Sequence, residues 1–234
     1  MIEIRGLEKL SLIDYPGKIA ATVFFSGCNF YCGFCHNPEL VELSLIKKQP
    51  KIKEEYFFNF LDSRKGLLEG VCLTGGEPTI NPDLPEFIEK IKQKGFLIKL
   101  DTNGSNPKML KKLLEENLLD FIAMDIKSSK ENYPRAANQS VNLVNIQKSV
   151  NLIQKSGKEY EFRTTAAPGL IDKTEIEKIG QWLKGAKSFA LQQFRIEKTL
   201  DKSLKKLKPY SAPELNNLAD ILKKYIERVE LRGI

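Results

Sequence analysis

Three of the four cysteines lie within eight residues, in the order Cys28-x3-Cys32-x2-Cys35. Clustered thiolates select soft metals, so this spacing predicts zinc or an iron–sulfur cluster. A structural zinc site needs four closed ligands, and His36 adjoins Cys35, where it can hardly complete a tetrahedron with its neighbour. Cys72 stands in an apolar run and is expected to be a buried filler. Three ligands without a fourth predict a cluster that leaves one iron open.

Three further loops carry polar residues directly after apolar runs. Gly75 and Gly76 have no side chains, so their backbone groups can approach a ligand closely, and Glu77 beside them can pair with an ammonium. Period-two geometry puts Asp125 and Lys127 on one face of a strand, where they can touch one ligand together. Each feature is also compatible with a purely structural role, as a tight turn or an ordinary salt bridge. The three loops are Gly75-Gly76-Glu77-Pro78, Asp101-Thr102-Asn103-Gly104 and Asp125-Ile126-Lys127.

Short β-rich runs alternate with longer helical patterns, which is typical of repeated βα units. The predicted strands are Ile19–Phe25, Gly70–Thr74, Phe96–Asp101, Phe121–Asp125, Glu161–Thr165 and Ser188–Phe194. The predicted helices are Glu54–Ser63, Asp83–Lys94, Pro107–Glu116, Leu143–Ser156, Thr174–Lys184 and a last one over Ala212–Arg228.

No internal repeat or low-complexity linker interrupts this series, so the chain is predicted to form one α/β domain over residues 1–234, with βα units from about 19 to 195. Six such units suit a parallel sheet curled into a partial barrel or a flat doubly wound sheet, and the pattern alone does not separate them. In either case the loops after the strands build the site. The cysteine loop and the three polar loops all fall there.

The cysteine spacing, with Phe34 before the last cysteine and an apolar strand before the loop, resembles the signature of radical S-adenosylmethionine (radical SAM) enzymes. That resemblance implies a partial (β/α)6 TIM-like barrel as a single core domain. It implies one 4Fe-4S cluster, held by Cys28, Cys32 and Cys35, whose fourth iron binds S-adenosylmethionine. It also implies that the loop of Gly75, Gly76 and Glu77 holds the methionine amine.

Among radical SAM proteins, the sequence is most similar to the activating enzymes of glycyl-radical proteins. By that resemblance Asp101, Thr102 and Asp125 are candidates for a monovalent-cation site, and Lys127 for contact with the cofactor carboxylate. An arginine that precedes a Pro-Gly turn, Arg163 before Pro168-Gly169, matches the fifth-strand pattern of the group. The predicted cofactor-binding set is completed by two arginines, Arg163 and Arg195.

The run Gln192-Gln193-Phe194-Arg195 departs from pyruvate formate-lyase activases, which have a histidine where Arg195 stands. This run and the opening Leu10–Lys18 resemble the activating proteins of anaerobic ribonucleoside-triphosphate reductase. The resemblance implies reductive cleavage of S-adenosylmethionine to a 5′-deoxyadenosyl radical, which generates a glycyl radical on the partner reductase. Only four cysteines exist, so a second all-cysteine cluster is impossible, and an outside donor such as flavodoxin or ferredoxin is expected.

Other readings remain open at this stage. One is a small-molecule radical SAM enzyme, such as a protein resembling deazaguanine synthases, and another is an activase for a different glycyl-radical enzyme. A non-catalytic zinc or electron-transfer module is a third, although it would leave the Gly75-Gly76 and Asp125-Lys127 loops without a purpose. For His36, the expectation is a loop residue satisfied by backbone hydrogen bonds.

Composition and net charge limit the classes of partner that the chain is expected to bind. The net charge of +7 comes from 37 basic and 30 acidic residues, and the lysines are densest at Lys198–Lys208. Such runs are usually solvated faces, so a nucleic-acid partner is not expected. The charged start at residues 1–5, the absence of a long apolar run and the few cysteines predict a cytoplasmic protein that does not enter the membrane.

Overall fold

The computed structural model describes residues 2–234, and one eight-stranded sheet forms its centre. The strands follow each other in chain order across the sheet; the first pair is antiparallel and every later pair is parallel. The strands are β1 (Ile4–Ser11), β2 (Ala20–Phe25), β3 (Gly70–Gly75), β4 (Leu97–Thr102), β5 (Phe121–Asp125), β6 (Glu159–Ala166), β7 (Ser188–Gln193) and β8 (Arg228–Arg232).

Helices connect the parallel strands, and their starts follow the sequence signals. The side chain of Asn106 accepts a hydrogen bond from the Met109 N–H at 3.2 Å, and that of Asp172 accepts one from the Glu175 N–H at 2.9 Å. The helices are α1 (Leu43–Ile46), α2 (Glu54–Asp62), α3 (Leu84–Gln93), α4 (Pro107–Glu115), α5 (Tyr133–Ala137), α6 (Leu143–Lys155), α7 (Lys173–Trp182) and α8 (Ala212–Leu222). Three 3-10 turns lie at Pro38–Leu40, Pro78–Ile80 and Lys202–Lys206.

The strand order decides between the two sheet arrangements that the sequence left open, a partial barrel and a flat doubly wound sheet. A doubly wound sheet reverses its winding at a switch point, whereas here every parallel strand is added on the same side of the one before it. This is the winding of a (β/α) barrel, and the described strands run from β1 at one edge to β8 at the other without closing. The predicted partial TIM-like barrel in a single α/β domain is confirmed.

The strand count and the chain's end differ from prediction. Strands β1 and β8 were not predicted, and α8 ends at Leu222 rather than at Arg228, where β8 begins. Both missed strands form sheet edges, and most of their residues are partly or fully exposed. β1 contains three charged residues and β8 alternates charged with apolar residues, so neither has the continuous apolar run by which the inner strands were predicted.

The interior of the barrel changes from apolar to polar along its axis. Near the amino ends of the strands, Tyr15 from the loop after β1 packs against Phe121, with ring centroids 5.9 Å apart. Towards the carboxyl ends the interior becomes polar, which directs the site to that end. None of the helices described between residues 2 and 234 combines the length and apolarity needed to span a bilayer.

Candidate functional site

The cysteine loop leaves β2 at the carboxyl edge of the sheet and is anchored to three parts of the chain. The Gly27 N–H donates to the Leu40 carbonyl at 2.7 Å, and the Tyr31 N–H to the Ala137 carbonyl at 2.9 Å. The carbonyl of Gly33, between the second and third cysteines, accepts from the Asp201 N–H at 2.9 Å. The loop is therefore held in place by the polypeptide itself.

The three thiols of this loop line one cavity of about 280 Å³. Burial is the main cause that raises the pKa of Cys28 to about 12 and that of Cys32 to about 11, and it raises the pKa of Cys35 as well. Backbone N–H groups of Phe30 and Asn37 point at the sulfurs of Cys28 and Cys35, both at 3.4 Å. Such N–H donors stabilise the charge on a metal-bound thiolate and tune the potential of a cluster.

The spacing of these thiols bears on which metal they suit. Within residues 2–234, no three His, Cys, Asp or Glu side chains are gathered as ligands around one metal ion. In a cubane cluster each thiolate binds a different iron, so its ligands surround a body rather than a point. All three thiols line one cavity, as the ligands of a single cluster must.

The glycine loop after β3 is pressed against the cysteine loop. The Gly76 N–H donates to the Phe25 carbonyl at 2.9 Å, and the Glu77 N–H donates to the Gly27 carbonyl at 2.8 Å. A Cβ on Gly76 would stand 1.9 Å from the Gly27 oxygen, and one on Gly75, where φ is +117°, would stand 2.4 Å from the Phe25 backbone. Both glycines are required because two backbones meet here, a reason that the sequence did not reveal.

Glu77 joins the glycine loop to the loop after β4. Its carboxylate accepts from the Thr102 hydroxyl at 2.7 Å and from the Asn103 N–H at 2.6 Å, and also from the Thr79 N–H and hydroxyl at 3.1 and 2.5 Å. The side chain is buried, and burial is the main cause that raises the pKa of Glu77. Its acceptor positions are thus taken by the chain, so pairing with an ammonium stays a prediction.

Two carboxylates after β4 and β5 are bridged by one arginine from β6. Arg163 donates from Nη1 to Asp101 Oδ2 at 3.0 Å and from Nε to Asp125 Oδ1 at 2.9 Å. The other oxygen of Asp125 accepts from Lys127 Nζ at 3.1 Å, so the predicted pair on one face is present. Burial alone would raise the pKa of Asp125, but Arg163 and Lys127 outweigh it and hold that pKa well below its usual range.

A lysine that the sequence analysis passed over lies beneath this bridge. Lys99 on β4 is 1% exposed, and its ammonium contacts Asp101 Oδ1 and lies 3.6 Å from the Cys72 sulfur. Cys72 is buried as expected, but its neighbours are these charged groups rather than purely apolar side chains. Lys99, two residues before Asp101 on one strand face, could have been found by the period-two rule.

The cavity gathers the residues predicted from the four loops. Arg195 is the exception, since it is exposed and lines a neighbouring cleft of about 1290 Å³. The backbone N–H of Arg195 donates to His36 Nε2 at 3.2 Å, which gives His36 the backbone partner expected for it. The predicted residues lining the cavity are Cys28, Cys32, Cys35, Gly75, Gly76, Glu77, Asp101, Thr102, Asp125, Lys127 and Arg163.

The structure adds site residues that sequence reasoning missed. Asn103 donates to the Asn29 side-chain oxygen at 2.9 Å and lies 3.9 Å from the Cys28 sulfur, so it links β4 to the cysteine loop. Thr22 donates to Asp14 at 2.7 Å, and both line the cavity. Asn103 stands in a loop already singled out, whereas nothing in the sequence pairs Thr22 with Asp14.

The sequence model of the radical SAM superfamily matches residues 22–183, which include the cysteine loop, the glycine loop and the Asp101–Asp125 bridge. The chain belongs to the radical SAM superfamily. Enzymes of this superfamily use a 4Fe-4S cluster and S-adenosylmethionine, so these are the cofactors of this radical SAM enzyme.

Two relatives refine the placement within radical SAM enzymes. A protein of Methanocaldococcus jannaschii, provisionally named a glycyl-radical enzyme activating enzyme, is 35% identical over 99% of this chain and 96% of its own length. The pyruvate formate-lyase-activating enzyme of Streptococcus mutans is 28% identical over 82% of this chain and 75% of its own. The chain therefore falls in the glycyl-radical activating group.

A solved structure shares the fold. Streptococcus suis SuiB bound to S-adenosylmethionine superposes with a TM-score of 0.66 at 14% identity, over 88% of this chain. This chain spans about half of SuiB, 48% of its length. At that identity the likeness shows the fold alone.

The residues present fit the two cofactors. The three thiols line one cavity, and backbone N–H groups face two of the sulfurs. The glycine loop exposes backbone beside them, and Lys127 carries a positive charge into the same cavity. A thiolate-bound cluster and a zwitterionic amino acid group therefore find matching partners along one wall.

Proposed function

We propose that this chain is the activating enzyme of a glycyl-radical protein, an anaerobic ribonucleoside-triphosphate reductase. The observation that carries the proposal is the shared cavity: three cysteine thiols, a backbone-exposing glycine loop and the Asp125–Lys127 pair all line it. When bound there, the reduced cluster supplies the electron that splits S-adenosylmethionine into methionine and a 5′-deoxyadenosyl radical, which removes a hydrogen atom from the partner's glycine.

The chain's own residues would bind the cluster and S-adenosylmethionine and orient them. Cys28, Cys32 and Cys35 would hold the cluster, with Cys32 buried and the other two partly buried. Lys127, whose pKa Asp125 holds above its ordinary value against the opposing effect of burial, would donate to the cofactor carboxylate. Gly75 and Gly76 would present backbone groups to the methionine amine, with Glu77, Asp101, Thr102, Asp125 and Arg163 keeping the surrounding loops in register.

The partner's glycine needs a route to this cavity. The neighbouring cleft of about 1290 Å³ shares lining residues with the cavity, among them Asp14, Arg163 and Gln192. It opens where the sheet does not close, between the β1 side and β7–β8. We assign Arg195, on the rim of this cleft, to contact with the incoming partner or with the far end of the cofactor.

The electron must be delivered from outside. With three of the four cysteines committed to one cluster, and Cys72 buried beside Lys99, no thiols remain for a second all-cysteine cluster. A flavodoxin or ferredoxin is the class of donor that fits a low-potential cluster of this kind.

The partner assignment rests on the run Gln192-Gln193-Phe194-Arg195 and the opening Leu10–Lys18, and electron paramagnetic resonance tests it. Mixing reduced enzyme, S-adenosylmethionine and anaerobic ribonucleotide reductase is expected to give a glycyl radical. Its doublet should collapse to a singlet when the reductase carries glycine deuterated at the α-carbon, because the α-hydrogen causes the splitting.

The control uses pyruvate formate-lyase as the acceptor under the same conditions. A radical on the lyase but not on the reductase would assign the chain to another activase branch. Formation of 5′-deoxyadenosine without a radical on either protein would favour a small-molecule radical SAM enzyme instead.

A further inference from the structure

The two carboxylates proposed for a monovalent cation already have cationic partners from the chain. Asp101 is contacted by Lys99 at Oδ1, and by Arg163 and the Thr74 hydroxyl at Oδ2, at 3.0 and 3.2 Å. Asp125 is paired with Arg163 through one oxygen and with Lys127 through the other. Each of the four carboxylate oxygens thus has a positively charged neighbour.

The third residue proposed for that cation is also engaged. The Thr102 hydroxyl donates to Glu77 at 2.7 Å and accepts from the Gly104 N–H at 3.1 Å. Thr102 is buried, so the hydroxyl is fixed towards Glu77 rather than towards Asp101. A sodium or potassium ion at this place would have to break hydrogen bonds that the chain has already made.

Lys99 places a positive charge beside Asp101. Its Nζ lies among Asp101, the Cys72 sulfur and the Phe121 ring, whose centroid is 5.9 Å away. An ammonium is a compact, strongly hydrated point charge, close to potassium in size and charge. The direct contact of Lys99 with the Asp101 carboxylate favours the charged form of this ammonium.

The charge balance points the same way. Two carboxylates face three cationic side chains in direct contact: Asp101 and Asp125 against Lys99, Lys127 and Arg163. One positive charge is left over, which a cofactor carboxylate would neutralise. Among these five side chains, a further cation would add to an existing excess of positive charge, which is electrostatically unfavourable.

We propose that Lys99 is a built-in counter-ion that replaces the monovalent cation, so that this chain binds S-adenosylmethionine without sodium or potassium. Lys99 acts as a positioning residue, because it holds Asp101 and through Arg163 the face that receives the cofactor carboxylate. This inference rests on the proposed function, since it takes S-adenosylmethionine as the ligand of the cavity.

Isothermal titration calorimetry of S-adenosylmethionine into the cluster-loaded protein tests the proposal in sodium, potassium and choline chloride at equal ionic strength. The wild-type affinity should change by less than about twofold among the salts. Lys99→Ala opens room for an ion. This variant should therefore bind S-adenosylmethionine about tenfold more weakly in choline than in potassium, a difference of ~1.4 kcal/mol in binding free energy. The control is Lys92→Ala, which removes an ion pair with Asp120 and should stay insensitive to the salt.

The outcomes separate this inference from the proposed function. A wild type that needs sodium or potassium, or a Lys99→Ala variant that binds as the wild type does in every salt, would overturn the built-in counter-ion. A cluster-loaded wild type that binds no S-adenosylmethionine in any salt would overturn the proposed function, and the inference with it. Should Lys99→Ala fail to fold, the wild-type comparison across salts decides alone.

Discussion

Replacing Cys32 with alanine is expected to abolish cluster binding. Cys32 is 6% exposed and lies between the other two thiols of the loop, so its loss leaves two cysteines for a cluster that needs three from the protein. Iron and sulfide analysis after anaerobic reconstitution should show less than about a tenth of the wild-type content, since loss of a ligand removes most of the binding energy.

The matched control is Cys72→Ala, which removes the remaining cysteine from the same barrel. Cys72 contacts Lys99 and Asp101 rather than the cysteine loop, so iron content should be unchanged. Truncating this buried thiol should lower the free energy of unfolding by only about 1 kcal/mol. Loss of iron in Cys72→Ala would show that Cys72 is a fourth ligand, and the open-iron account would be wrong.

Replacing Arg163 with methionine should be the most destabilising single change in the cavity. Arg163 is the one side chain that pairs with both Asp101 and Asp125, and its own side chain is 11% exposed. Removing this shared partner of two buried ion pairs takes the charged donor from one oxygen of each carboxylate, at a cost of about 3–5 kcal/mol. Urea unfolding of the metal-free protein, monitored by circular dichroism, measures the free energy of unfolding.

Two comparisons make that result specific. Arg228→Met removes an exposed arginine whose pair with Glu230 is 3.6 Å long, and should cost less than about 1 kcal/mol. Adding Asp125→Asn to Arg163→Met should cost less than the sum of the two single changes, because both changes remove the same hydrogen-bonded ion pair. Equal costs for Arg163→Met and Arg228→Met would contradict the bridge.

Much of the fold follows from local pattern, and the exceptions have local causes. The inner strands carry uninterrupted apolar runs, so β3 and β5 lie where they were predicted, within one residue. Strands β1 and β8 are edges, and their charged residues hide them from a search for apolar runs. Strand order also required the structure, because the βα pattern allows two windings.

The site residues also divide into those that local pattern predicts and those that only the folded structure brings together. Asp125 and Lys127 could be paired from strand periodicity, and the same rule applied to Phe96–Asp101 places Lys99 beside Asp101. The partners of Glu77 could not be anticipated, because Thr102 and Asn103 reach it only once β3 and β4 lie side by side. The clash that excludes a side chain at Gly76 likewise depends on where the cysteine loop folds back.

We propose that three cysteines hold a cluster at which S-adenosylmethionine is reductively cleaved. The most direct test is to reconstitute the full chain anaerobically with iron and sulfide, add dithionite and S-adenosylmethionine, and quantify 5′-deoxyadenosine by liquid chromatography. We expect 5′-deoxyadenosine and methionine in equal amounts, and neither product from Cys32→Ala. Stoichiometric zinc with no iron absorbance, or an iron-loaded protein that yields no 5′-deoxyadenosine, would contradict it.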